Sequence, residues 1–193
     1  MQQPALKYIT PEEYLAMEDT AESKHEYYHG EIFAIAGASQ NHNRLTLDLG
    51  TDANLALKGS KCEVYMNDMK VWSKAKIFFA YPDLTIVCGK AEFYEDRDDI
   101  LANPLVIFEV LSKSTKSYDR AEKFDFYRSI PTFQEYILID QHRIHVEQRY
   151  METRNKWILL EYNQITDVIK LAKVDIQIPL QEIYRRVEFA ESQ

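Results

Sequence analysis

The sequence predicts an α/β (α+β) fold, a mixed central sheet flanked by helices and spanning residues 1–193 as one domain. Three observations predict it. Leu84 to Cys88, Leu105 to Leu111 and Tyr136 to Asp140 are nearly continuous apolar runs, the pattern of strands covered on both faces. Between the last two, Ser117 to Ser129 reads as a helix, with Asp119 and Glu122 near its start and Pro131 as its stop. Strand, helix and strand then form a crossover of the kind that can join parallel strands. The 193 residues are 46% hydrophobic and 28% charged, a globular composition in which one core can bury roughly 70% of the unfolded surface.

The other elements follow in chain order. Thr10-Pro11-Glu12-Glu13 opens a short helix: Thr10 caps, Pro11 suits the first helical position, and Glu13 completes a capping box. Glu26 to Ile35 reads as a hairpin turning at His29-Gly30, where glycine supplies a positive φ. From Asn41 to Lys58 the apolar spacing is helical, although Leu45, Leu47 and Leu49 also alternate; length decides for a helix. Cys62–Met66 and Met69–Trp72 predict two strands around Asn67-Asp68. Ile144–Gln148, Trp157–Tyr162 and Lys173–Ile178 predict three more, before a short amphipathic helix over Leu180–Val187.

Lys and Arg number 23 against 31 Asp and Glu, a net charge of −8, which excludes a generally basic nucleic-acid coat and requires any phosphate contact to come from a local patch. Five glycines argue against Gly-rich phosphate loops and flexible linkers. Cys62 and Cys88 make no Cys-x-x-Cys pair and are expected as free buried thiols. No apolar run approaches the ~20 residues that cross a bilayer, and the N-terminus lacks a basic segment leading into an apolar one, so a soluble cytoplasmic protein is expected.

Glu109 is the most informative residue, because it interrupts a core strand and a buried carboxylate requires a cation, a hydrogen-bond network or a shifted pKa. Asp83, in Tyr81-Pro82-Asp83, is its natural companion. If the two strands pair antiparallel with Cys88 facing Pro104, Asp83 faces Glu109 with Cβ atoms roughly 5 Å apart. Two such carboxylates repel unless a divalent cation lies between them, and oxygen ligands suit Mg²⁺ or Mn²⁺. Such an ion could activate water and offset charge on a phosphoryl group. On the following helix Lys116, Arg120, Lys123 and Tyr127 recur at steps of four, three and four, a basic face with one aromatic.

These residues carry a family resemblance. Tyr81-Pro82-Asp83, Glu109-Val110-Leu111-Ser112 with Ser114-Thr115, Tyr118-Asp119-Arg120 with Lys123, Tyr127 and Ile130-Pro131, then Glu135-Tyr136 and Ile139-Asp140, resemble the Uma2 family, itself similar to the PD-(D/E)XK restriction-endonuclease superfamily. Glu26, Gly30-Glu31 and His42 fall where that family has a glutamate, a Gly-Glu turn and a histidine. The resemblance implies a restriction-endonuclease-like core with Asp83 and Glu109 as metal ligands and Glu26 as an accessory acid. Leu111 stands where the superfamily has a lysine; the resemblance implies a migrated lysine, Lys123, with Lys113 the weaker substitute.

Plainer readings stand beside these. Asp83 serves equally as a turn residue, Glu109 as the partner of a structural ion pair with Lys123 or Arg120, Lys123 as a solvated helix lysine, Glu26 as an exposed strand-end charge, and His42 as a capping histidine. His142 and His145 fall on opposite faces of a strand, and the acidic stretch Glu92–Asp99 lacks calcium-loop spacing. The first expectation is therefore a metal-dependent endonuclease acting on DNA or another nucleic acid. The alternative is an inactive binding or assembly module, as a homodimer joined through a sheet edge or the aromatic-rich surface; a homo-oligomer, with a dimer favoured, is expected.

Overall fold

The structure is a computed structural model, and it describes residues 8–113 and 115–189. Ser114 of the motif and the N-terminal residues 1–7 lie outside them. Helix α1 (Pro11–Glu18) starts as its sequence requires, with Thr10 Oγ1 accepting from Glu13 N–H while the Glu13 carboxylate accepts from Thr10 N–H. Strands β1 (His25–Tyr28) and β2 (Glu31–Ala34) form the hairpin, turning through His29 and Gly30 with φ of 45° and 98°. Two consecutive positive φ values are the two-residue turn that matches strand twist. Helix α2 (Gln40–Ala56) is capped by Ser39 and buries Leu45, Leu49 and Ala53.

The remaining strands are β3 (Cys62–Met66), β4 (Lys70–Ser73), β5 (Phe78–Ala80), β6 (Leu84–Cys88), β7 (Ile100–Leu101), β8 (Val106–Leu111), β9 (Glu135–Asp140), β10 (Val146–Thr153), β11 (Lys156–Tyr162), β12 (Val168–Lys170) and β13 (Gln177–Pro179). They make a mixed six-stranded sheet, β11-β10-β9-β8-β6-β3, a five-stranded sheet, β2-β1-β5-β4-β7, and the small pair β12-β13. The three apolar runs are β6, β8 and β9, adjacent at the centre of the larger sheet. β8 and β9 are parallel, as the crossover requires. β6 and β8 are antiparallel in the register read from the sequence, with Leu84 opposite Phe108 and Ile86 opposite Val106.

Four expectations need correction. β3 and β4 flank Asn67-Asp68 but enter different sheets, because β3 pairs with β6 and β4 with β5; the single central sheet is thus accompanied by a second. Cys62 and Cys88 are directly opposed on β3 and β6 and joined as a disulfide, so neither is a free thiol. The strand expected over Lys173–Ile178 is confined to β13, pairing with β12, which the sequence reading passed over, and the last helix, α5, covers only Leu180–Tyr184. Finally, the crossover helix begins at Lys116 and is not uniform: α3 (Lys116–Tyr118) runs into a π segment (Asp119–Lys123) and then α4 (Phe124–Tyr127).

That crossover helix lies between the sheets. Val71, Phe78, Ala80 and Leu101 of the five-stranded sheet, Ile107, Leu111, Tyr136 and Leu138 of the six-stranded one, and Phe126 and Tyr127 of α4 share one buried cluster. A second cluster, under α2 and α5, takes the opposite face of the larger sheet through Phe108, Val110, Ile137 and Ile139. Strand β8 is therefore buried on both faces. Alternation along it places Glu109 with Ile107 and Leu111 on the side of the crossover helix.

Candidate active site

Three chain segments bring four side chains to one buried place. Glu109 comes from β8, Lys123 from the π segment, Glu26 from β1 and Asp119 from the first position of the π segment; all four are 6% exposed or less. Lys123 Nζ lies 2.9 Å from Glu26 Oε1, 2.9 Å from Glu109 Oε1 and 3.7 Å from Asp119 Oδ1. Tyr127 Oη donates to the same Glu109 Oε1 at 2.9 Å, and Glu26 Oε1 also accepts from Tyr81 N–H at 3.4 Å. The hairpin delivers Glu26 because Tyr28, two residues on and on the same face, stacks against Phe126 of α4 with ring centroids 4.3 Å apart.

Asp83 stands one residue beyond the β6–β8 ladder. Its Oδ2 accepts from Val110 N–H at 2.7 Å, and its Oδ1 is 3.2 Å from His42 Nε2. The N-terminal turn of α2 holds this histidine, whose N–H is bonded to Ser39 Oγ. The structure thus brings Glu109, Lys123 and Glu26 into contact, while Asp83, bonded to Val110 N–H and beside His42, is near enough for its charge to act on Glu109. Of the four-residue basic face, only Lys123 and Tyr127 reach the carboxylates. Arg120 turns instead to Glu147, with Nε to Oε1 at 2.6 Å, and Lys116 is exposed. Lys113, the weaker substitute, is also exposed.

The electrostatics follow from packing several charges into an apolar interior. Burial pushes the Glu109 carboxyl well above its ordinary value; the Lys123 ammonium pulls it down, while the charges of Asp83, Asp119 and Glu26 add to the rise. Burial raises Asp119 as well. For Lys123 burial works against the charged form, yet Glu109, Glu26 and Asp119 hold its pKa well above the ordinary value, so it remains an ammonium. One cation thus faces an excess of carboxylates. Asp119 had looked like an ordinary helix-start acid in the sequence. Its position four residues before Lys123 was the available signal for its place here.

The donors are all oxygen, the chemistry of Mg²⁺ or Mn²⁺. Among the described residues no group of three or more His, Cys, Asp or Glu side chains encloses a point that an ion could take. Mg²⁺ does not need such a cage, because it is commonly bound by one or two carboxylates with water and substrate phosphate completing its shell. Asp83 and Glu109 are the two carboxylates whose oxygen chemistry suits such an ion. The Tyr118 hydroxyl, buried and without a hydrogen-bond partner among the described residues, leaves further polar capacity near Glu26, Glu109 and Asp119, whose charges act on it.

Comparisons with known proteins bear on the family and the fold. The family model Uma2, described as "Putative restriction endonuclease", matches residues 11–181. Two proteins of Synechocystis sp. (strain ATCC 27184 / PCC 6803 / Kazusa) align over most of the chain. "Uncharacterized protein sll1609" is 39% identical over 155 residues, covering 80% of this chain and 88% of that protein. "Uncharacterized protein slr1290" is 30% identical over 181 residues, 94% of each. A crystal structure described as "a putative nuclease belonging to DUF820" from Anabaena variabilis ATCC 29413 superposes with a TM-score of 0.75, covering 92% of this chain and 98% of that one at 14% identity. At that identity the likeness speaks for the fold.

Proposed function

The chain belongs to the Uma2 family, and from that premise we propose that it is a metal-dependent endonuclease that hydrolyses phosphodiester bonds of DNA or another nucleic acid. The observation that carries this reading is the meeting of Lys123 with Glu109 and Glu26, each at 2.9 Å, beside a strand that has Leu111 where the superfamily has its lysine. A lysine offered from the crossover helix supports the same acid–acid–lysine chemistry from a different part of the chain.

In this reading Asp83 and Glu109 hold Mg²⁺ or Mn²⁺. When bound, such an ion lowers the pKa of water and offsets charge on the phosphate. Lys123 presents its ammonium to the attacking water or to the phosphate oxygen that gains charge. Glu26 positions Lys123 through its carboxylate, and Tyr127 orients Glu109 by donating to Oε1. His42 fixes the Asp83 carboxylate from one side while Val110 N–H fixes it from the other. The low exposure of these groups keeps the local dielectric low, where their fields are strongest.

Purified full-length protein is expected to cleave DNA with Mn²⁺ or Mg²⁺, and Asp83→Ala and Glu109→Ala are each expected to reduce cleavage to background. Isothermal titration with Mn²⁺ checks the ligands: unchanged affinity in Asp83→Ala overturns the assignment. The second reading, a binding or assembly module without turnover, is favoured by the closure of Lys123 among carboxylates, which a purely structural ion-pair network also explains. Metal binding at this site with no cleavage of any nucleic acid selects it.

A further inference from the structure

The parallel strands β8 and β9 end side by side, with Leu111 opposite Asp140. Beyond those ends is a cavity of about 330 Å³ bounded by Ser112, Lys113, Lys116, Arg120, Asp140 and Arg143, among others. Its charges are unevenly matched. Arg120 is paired with Glu147 at 2.6 Å, and Arg143 is shared with Asp140 at 3.4 Å. Lys113 and Lys116 are exposed and have no ion-pair partner among the described residues. In a chain of net charge −8 this concentrates unneutralised positive charge in one concave place.

The location gives that charge a meaning. Glu109 lies two residues back along β8, about 7 Å by strand rise, so the cavity and Glu109 are neighbours at the C-terminal end of a central strand. The crossover helix serves both: Lys116 and Arg120 line the cavity, while Lys123 and Tyr127 meet Glu109. Ser112 lies on the same wall, its hydroxyl 2.9 Å from Thr115 Oγ1 and accepting from Thr115 N–H. Ammonium and guanidinium groups around a hollow are a donor set for phosphate oxygens.

We propose that this cavity binds a backbone phosphate of the nucleic-acid strand adjacent to the one being cleaved, with Lys113 and Lys116 as its principal contacts. The proposal rests on the nuclease reading of the neighbouring carboxylates. It explains how an acidic protein engages a polyanion: contact is confined to one hollow that sets the register of the strand over Glu109.

The test measures binding apart from chemistry. Fluorescein-labelled single- and double-stranded DNA is titrated with full-length protein in EDTA across a KCl series, for the wild type and for Lys113→Gln, Lys116→Gln and the double variant. Each lysine removed is expected to reduce the slope of log K against log salt by about 1 and to weaken binding several-fold. Circular dichroism confirms that the variants fold. Equal affinity and slope in wild type and double variant overturn the proposal. So does lysine-dependent, saturable binding of inorganic phosphate alongside DNA binding that ignores both lysines, which would assign the cavity to a small anion. The two readings fail separately: a wild type that never cuts but shows the lysine-dependent slope retains the cavity and loses the nuclease, whereas cleavage with an unchanged slope does the reverse.

Discussion

Lys123 shows how much one side chain can determine. An ammonium this deeply buried requires compensation, and Glu26, Glu109 and Asp119 supply it. Lys123→Met leaves those carboxylates buried without their cation. A loss of about 3–5 kcal/mol is expected at neutral pH, read by urea denaturation. The sign of its pH dependence follows from the acids. Burial already holds the folded pKa values of Glu109 and Asp119 above the unfolded ones, and loss of the cation raises them further, so protonation favours the folded variant; the deficit is largest at neutral pH and shrinks as these carboxyls protonate on acidification. A deficit that grew on acidification would contradict this account. Glu109 and Asp83 were legible in the sequence for physical reasons, one as a charge inside an apolar run and the other through strand register. Lys123 was reached through the family resemblance and Leu111, while the one sign of Asp119, its place four residues before Lys123, was masked because acids are ordinary in a first helical turn.

At the level of elements, the crossover helix is the part that sequence periodicity describes least well. A stripe at steps of four, three and four suggests one face, but the structure divides it, two residues to the cavity and two to the carboxylates. The π segment Asp119–Lys123 accompanies that division. An extra residue within a helix shifts the following side chains around the axis, and π segments recur at functional sites. Deleting Ala121, which is exposed, is expected to close the π turn to α geometry and to shift Asp119 against Lys123, now three residues apart. Tyr136 Oη, bonded to the Asp119 carbonyl, and Glu109, bonded to Lys123, could then not both keep their partners. The deletion should lower the urea midpoint and remove Mn²⁺-dependent cleavage, whereas Glu122→Ala, on the exposed side, should leave the midpoint unchanged. A deletion as stable and as active as the wild type would show that the extra residue is dispensable. Strand pairing was legible only where local order decides it: the β1–β2 hairpin and the β6–β8 register follow from nearby residues. The sheet that β4 joins depends on β5 and β7, and the Cys62–Cys88 bond on β3 reaching β6, neither of which composition reveals.

For the whole molecule, the sheets share a core, since Phe78 and Ala80 from one and Ile107 and Leu138 from the other pack with Tyr127. The two tryptophans divide conveniently: Trp72 belongs to the five-stranded sheet and Trp157 to the six-stranded one. Single-tryptophan proteins, Trp72→Phe and Trp157→Phe, are expected to report, each against a far-UV signal from the same variant, coincident urea transitions, as one cooperative unit requires. A sheet that melted before the other would divide the chain into two units. The broad class was legible because buried strands and a crossover have strong local signatures; the partition into two sheets was not, because it is fixed by contacts between distant segments.

Glu26 and Lys123 are separated by most of a hundred residues and lie in different structural layers, yet they touch. In the order of synthesis, a ribosome has delivered Glu26, Asp83 and Glu109 before Lys123 emerges, and β9, which closes the sheet beside Glu109, comes later still. On the proposed function, an unfinished or prematurely ended chain lacks the ammonium and the closing strand, and is inert toward the nucleic acid around it. On that reading, the site closes only when β9, the last in synthesis of the segments that meet at Glu109, has been made.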